Sequence, residues 1–117
     1  MIFAIILGAF GAHFLKAKIS ENLIEAYKTG VLYHLIHALA LFVIGATQKT
    51  LNSVLNKAKF FLFLGIILFS GSLYLLSIKE LIEFPSLFRF VGKLTPIGGV
   101  SFIVGWIFIF LSLKDKS

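Results

Sequence analysis

Apolar residues come in four runs along this chain, at 2–15, 31–47, 60–77 and 97–113, and the stretches between them carry most of its charge. Crossing a hydrocarbon core of ~30 Å takes about 20 helical residues, with about 17 as the lower limit. The last three runs reach that limit. The first has 14 residues and extends only about 21 Å at the helical rise, so it spans comfortably only if the bilayer thins or if Lys16 and Lys18 snorkel. Its length also suits the apolar part of a secretory signal, but no A-x-A-like site follows it and no basic stretch precedes it beyond the amino terminus. The pattern predicts an all-α integral membrane four-helix bundle with a short first helix, a single transmembrane domain over residues 1–117.

The connections carry structure of their own. In "KISENLIEAYKTG", Ile19, Leu23, Ile24 and Tyr27 recur at helical spacing, Ser20 is placed to cap, and Glu21 and Glu25 lie on the other side. That predicts a short interfacial amphipathic helix between spans one and two, ended by Gly30. "QKTLNSVLNKAK" reads as a polar turn. The third connection, "IKELIEFPSLFRFVGKLTP", is expected to be broken at Pro85 and Pro96 and to lie on the membrane surface through Phe84, Leu87, Phe88 and Phe90.

Composition agrees with this pattern. Hydrophobic residues make up 59% of the 117 residues and charged ones 14%, too apolar a balance for a soluble domain, where about a quarter charged is usual. The net charge of +6 comes from 11 Lys and Arg scattered between the apolar runs. Membrane flanks account for that distribution better than nucleic acid, which wants one basic face. The lysines and arginines divide five against six between the two sides, so the positive-inside rule gives only a slight lean toward inside termini, through the purely basic second loop. With no cysteine, disulfides and Cys-ligated metals are excluded.

Small and polar residues show where the helices meet. Close-packed membrane helices place small residues three or four apart. Span one offers Ala4, Gly8, Gly11 and Ala12, and span four offers Gly98, Ser101, Gly105 and Ser112; Gly71 and Gly99 join them as packing positions. Because the chain alternates direction, the end of span one, the start of span two, the end of span three and the start of span four share one side of the membrane. His13, His34, His37, Ser70, Ser72, Tyr74 and Thr95 all fall there and form a candidate polar cluster. His34 and His37 lie about 5 and 9 Å deep and form an i, i+3 pair.

Ionisable groups within a span are functional candidates by default. Three imidazoles, with Glu21 or Glu25, suit a metal, and His13 with His37 suits haem. HxxH alone specifies neither, and no HExxH-type base accompanies it, so the reading is no metal and no cofactor. Transport through a bundle this narrow needs an oligomer, and no acidic residue lies within a span. No nucleophile, base and orienting group occur together, so no enzyme is expected. The favoured reading is that His13 and His37 bond to Ser70, Ser72, Tyr74 or freed backbone carbonyls and pin the helices together.

"LGAFGAHFLK", "YKTGVLYHLIHALALFVIGA", "ILFSGSLYLLSI" and "GKLTPIGGVSFIVGW" resemble, in order and spacing over nearly the whole chain, the signatures of the domain of unknown function 423 family. These are small multi-span membrane proteins of bacteria with mitochondrial relatives. The matching positions are Gly8, Gly11, Ala12 and His13; Gly30, Tyr33, His37 and Ala38; Ser70, Gly71, Ser72 and Tyr74; and Thr95, Pro96, Gly98 and Gly99. The resemblance implies a four-helix protein of the bacterial inner (plasma) membrane or an organelle membrane, and leaves the activity open. His34 stands where Gln is often expected, which weakens a three-histidine site, and the family's first helix usually starts several residues earlier. Together these readings point to a small structural or accessory component of a membrane assembly, a homo-oligomer or part of a larger complex in the lipid bilayer, with no nucleic acid partner. The alternative is a minor transporter or a ligand- or metal-binding protein using a His13/His37/Ser72 pocket.

Overall fold

The structure is a computed structural model that describes residues 1–48, 53–79, 81, 83 and 85–115, and among these no strand occurs. Helix α1 covers Ile2–His13, and a single 3₁₀ turn follows at Leu15–Ala17. Helix α2 covers Glu21–Thr47. The third span, Ser53–Ser77, consists of α3 (Ser53–Gly65), a π-helical turn at Ile66–Ser70 and α4 (Gly71–Ser77). Helix α5 runs over Pro85–Asp115. The polar turn expected after Thr47 falls at 49–52, outside the described residues, as does Phe84.

Three of these helices, Glu21–Thr47, Ser53–Ser77 and Pro85–Lys114, are long and apolar enough to cross a membrane, whereas α1 has 12 residues. The side chains they turn outward are apolar: Phe42 is 67% exposed, Phe110 64% and Ile103 61%. In water this surface would drive aggregation; against lipid tails it carries no penalty. The body is flat, 50 × 28 × 17 Å, with room across its thin axis for two helix layers at the usual spacing of about 8–10 Å.

Two expectations about helix ends need correction. The amphipathic segment is helical, but it is the first part of α2 and not a separate interfacial helix, and the chain continues through Gly30. Gly30 has ordinary negative φ. What it lacks is a Cβ, which would sit 3.1 Å from the Tyr74 ring and 3.2 Å from Leu73 Cβ. The glycine serves helix contact, which a stop signal read along one chain does not reveal. The apolar face of the segment is covered by protein: Ile19, Leu23, Ile24 and Tyr27 are buried with Leu15 against Leu7, Val31, Tyr74 and Ile78. Ser20 does occupy the N-cap position, with its carbonyl accepting from Ile24 N at 3.0 Å, but its hydroxyl makes no capping bond.

The second correction concerns Pro96, which lies inside α5 and does not break it. Proline deprives only one carbonyl, that of Gly92, of its helical donor, and packed membrane helices tolerate this. Pro85 does mark a boundary, as the first residue of α5, where its missing N–H costs nothing. The stretch expected on the membrane surface is thus the opening of a long helix, with Leu87 and Phe90 exposed.

Contact between the helices rests on missing side chains. A Cβ at Gly98 would run into the backbone of Leu68 and Phe69 in the π-turn; one at Gly65 would strike the Phe102 ring, and one at Gly105 would come within 2.7 Å of Leu62 Cδ2. Along α5, Gly98, Ser101, Gly105 and Ser112 are all buried, as the small-residue stripe requires. On α1, Ala4 and Gly11 are buried and Gly8 is half-buried, but Ala12 is exposed. Gly71 has nothing nearer its Cβ position than its own chain's Ile66 O at 4.0 Å.

Candidate functional site

The polar side chains of the spans form separate interhelical contacts. Nearest the ends, Tyr27 of α2 donates its hydroxyl to the carbonyl of Leu7 and so ties α1 to α2. Its ring lies 5.2 Å from that of Tyr74, centroid to centroid, and the Tyr74 hydroxyl is hydrogen-bonded to His34 Nδ1 at 2.9 Å. Tyr27, His34 and Tyr74 therefore link α1, α2 and α4 in one chain of contacts.

One turn back along the third span, Ser72 Oγ donates to Phe69 O at 2.8 Å and is hydrogen-bonded to Thr95 Oγ1 of α5. Since serine has one proton and spends it on the carbonyl, Thr95 is the donor to Ser72. The acceptor Phe69 O belongs to the π-turn, where helical bonding is out of register. Ser70, in the same turn, is fully buried, and its hydroxyl has no partner among the described residues.

Deeper still, His37 uses both ring nitrogens. Nδ1 is 2.7 Å from Tyr33 O, and Nε2 is 3.0 Å from the indole Nε1 of Trp106. A carbonyl can only accept and an indole N–H can only donate, which assigns His37 as the neutral imidazole protonated at Nδ1. Its ring stacks on Phe102 with centroids 3.6 Å apart and planes at 14°. Next to Phe102 on α5, Ser101 donates to Phe61 O at 2.7 Å.

The seven residues expected to cluster are therefore distributed. His34 is joined to Tyr74 and Ser72 to Thr95, while Ser70 stays within the π-turn and His37 belongs with Trp106. His13 is exposed at the end of α1 and shares no hydrogen bond or ring contact with the others among the described residues. The i, i+3 histidines diverge, one to α4 and the other to α5. Among the described residues no group of three His, Cys, Asp or Glu side chains comes close enough to hold a metal ion.

Trp106 and Tyr27 are the contact residues that sequence reasoning missed, along with the close approaches at Gly30 and Gly65. A signal existed for Trp106. Tryptophan favours the two membrane interfaces, so the chain's one tryptophan in the middle of a span already asked for a buried acceptor.

Fold and contacts together define a multi-pass α-helical membrane protein whose spans are joined by polar contacts between helices. The family described as "Protein of unknown function (DUF423)" matches residues 7–99, and the chain belongs to that family. It is 43% identical over 110 residues to the UPF0382 membrane protein YwdK of Bacillus subtilis (strain 168), covering 92% of this chain and 84% of that protein. It is 40% identical over 105 residues to the UPF0382 membrane protein SH2409 of Staphylococcus haemolyticus, covering 90% and 80% respectively. Against the UPF0382 membrane protein SAB0533 of Staphylococcus aureus the identity is 41%, also over 105 residues. No solved structure matches the chain. These relatives are bacterial membrane proteins, and the inner (plasma) membrane is where spans of this helical kind belong.

Proposed function

We propose that this protein is a structural or accessory component of a membrane assembly and not an enzyme. One observation supports the reading above others: four polar contacts inside the spans hold helix to helix. His34 bonds Tyr74, Thr95 bonds Ser72, Trp106 bonds His37 and Ser101 bonds a backbone carbonyl. Groups committed in this way give a fixed shape. Both histidines inside the spans take part in these contacts.

The outer surface supports the assembly part of the reading. Helix α1 contacts only α2 and the 3₁₀ turn among the described elements, and it turns Ile2 and Phe3, each 74% exposed, away from the body. A helix too short to span alone gains from a neighbour that covers its open face. The test is native mass spectrometry of the protein extracted from its own membrane in mild detergent. An assembly heavier than the 13.0 kDa chain is expected, and it should persist in His34→Gln and Thr95→Val variants that remain folded. A uniform monomer, in detergent and in lipid nanodiscs alike, would refute the accessory role.

A further inference from the structure

Two cavities meet at the first turns of α2. One, of about 340 Å³, is lined by Lys16 of the 3₁₀ turn together with Ile19, Glu21, Ile24, Glu25 and Lys28. The other, of about 250 Å³, is a groove between α1 and α2 that shares Ile24 and Lys28 with the first and continues past Ala12 and Val31 to Leu35. We propose that the two together bind a phospholipid whose headgroup carries both a phosphate and a primary ammonium, with the headgroup in the first cavity and an acyl chain in the groove.

The charges specify the headgroup. Two lysines and two glutamates line the first cavity, so it is neutral as a whole yet offers both signs. Lys28 and Glu25 are 3.8 Å apart, with side chains 62% and 68% exposed. Exposed pairs of this kind hold only weakly, and Lys28 can turn to a phosphate. Lys16 and Glu21 line the same cavity and take part in no ion pair among the described residues. A phosphate set against the lysines and an ammonium set against the carboxylates would answer all four groups. A purely anionic headgroup would instead meet two glutamates of its own sign. A choline headgroup has the right charges but no N–H, whereas a primary ammonium brings three donors for the carboxylates.

The placement along α2 suits a lipid standing in its own leaflet. Glu21, Glu25 and Lys28 precede the apolar run that begins at 31 and so belong at the level of the headgroups. From there the groove descends toward the midplane, to Leu35 on α2 and Gly8 on α1. Lys28 to Leu35 covers roughly 10 Å of helix, enough for the upper part of a chain in a leaflet about 15 Å deep. Among the described residues, Lys28 at its upper end is the one charged side chain that lines the groove. Gly11 is required by internal packing, since a Cβ there would strike the Tyr27 ring. Ala12, by contrast, is exposed, and the room beyond its methyl group belongs to the groove.

The full chain in mild detergent is titrated with dioleoyl phosphatidylethanolamine, phosphatidylcholine and phosphatidylglycerol in turn, and bound lipid is counted by native mass spectrometry. Phosphatidylethanolamine is expected to saturate at one molecule per chain, with a dissociation constant about fivefold below that of phosphatidylcholine and below that of phosphatidylglycerol. The double variant Glu21→Gln with Glu25→Gln should bind the ethanolamine and choline lipids equally. Ala12→Leu, which fills the groove, should weaken binding of all three. The proposal is overturned by the absence of saturable binding, by equal binding of the ethanolamine and choline lipids to the native chain, or by tighter binding of phosphatidylglycerol. A preference for ethanolamine that survives in the double glutamine variant, or unweakened binding in a folded Ala12→Leu variant, overturns it as well. If Ala12→Leu loses its helical circular dichroism, the glutamine variant, which alters only exposed side chains, decides.

Discussion

Of the glycines, Gly98 comes nearest to the backbone of another element, at the approach of α5 to the π-turn, and Gly98→Ala tests that approach with one carbon atom. A Cβ at this position would lie 2.7 Å from Phe69 Cα and 2.8 Å from the carbonyl carbon of Leu68, and closer still to Phe69 N. These are main-chain atoms in the middle of a span and cannot rotate aside, so α5 must back away from the turn. Retreat loosens the neighbouring contacts, the Thr95 to Ser72 bond among them. Forcing an atom into a packed site usually costs about 1–3 kcal/mol. Alanine recovers up to about 1 kcal/mol through helix propensity, which leaves a net loss of roughly 0–3 kcal/mol and a deficit of about 1–3 kcal/mol against alanine at an open helical glycine. Gly45→Ala in α2 is the matched control, since nothing lies within 4 Å of its Cβ position, and it should be neutral or stabilising by up to about 1 kcal/mol. The assay is unfolding of the full chain in mixed micelles by increasing dodecyl sulfate fraction, read by helical circular dichroism and Trp106 emission. A Gly98→Ala variant as stable as Gly45→Ala would refute the claim that α5 rests directly on the turn.

Three further substitutions address the polar contacts. Trp106→Phe leaves His37 Nε2 without a donor and should cost about 1–2 kcal/mol in the same assay; an unchanged midpoint would mean the histidine is held by its bond to the Tyr33 carbonyl and its stack on Phe102. Thr95→Val removes the donor to Ser72, and at the average strength of interhelical bonds in membranes should cost about 0.6 kcal/mol and at most about 1.7; a larger loss would show that the hydroxyl does more than join two helices. Tyr27→Phe cuts the bond to the Leu7 carbonyl and should speed amide exchange across Ile2–His13 while leaving α5 protected, as measured by hydrogen-exchange mass spectrometry. Equal exchange in both proteins would place the anchorage of α1 elsewhere.

The architecture was legible in the sequence because a bilayer imposes length and polarity on every segment that crosses it. The runs at 31–47, 60–77 and 97–113 form the cores of the three long helices, and the stripe of Gly98, Ser101, Gly105 and Ser112 is buried along its length. Placing polar residues by depth also identified the levels at which His34 meets Tyr74 and Ser72 meets Thr95. Depth is one coordinate, however, and azimuth is another. His34 and His37 stand three residues apart, close enough to share a broad helix face, yet they serve different neighbours. Helix ends were misjudged for a related reason: Gly30 and Pro96 have strong local tendencies to end helices, and tertiary contact and the membrane's demand for bonded backbone override them.

The π-turn at Ile66–Ser70 interrupts the regular register of the third span where Gly98 of α5 meets it. A π-turn accommodates an extra residue in the helix, and one residue is about 100° of rotation at 3.6 residues per turn. Residues before and after the turn therefore face directions that an uninterrupted helix would not present. Before it, Gly65 and Leu62 meet Phe102 and Gly105 of α5. After it, Ser72 still reaches α5 at Thr95 while Tyr74 turns to α2 at His34 and Gly30. The turn also exposes the backbone of Leu68 and Phe69 to close approach, and that is the surface which Gly98 meets. Gly98 follows Pro96 by two residues. The irregular backbone of the third span and the helix-weakening residues of the fourth thus face each other at one level of the membrane, and the defect in one helix is packed by the missing side chain of the other.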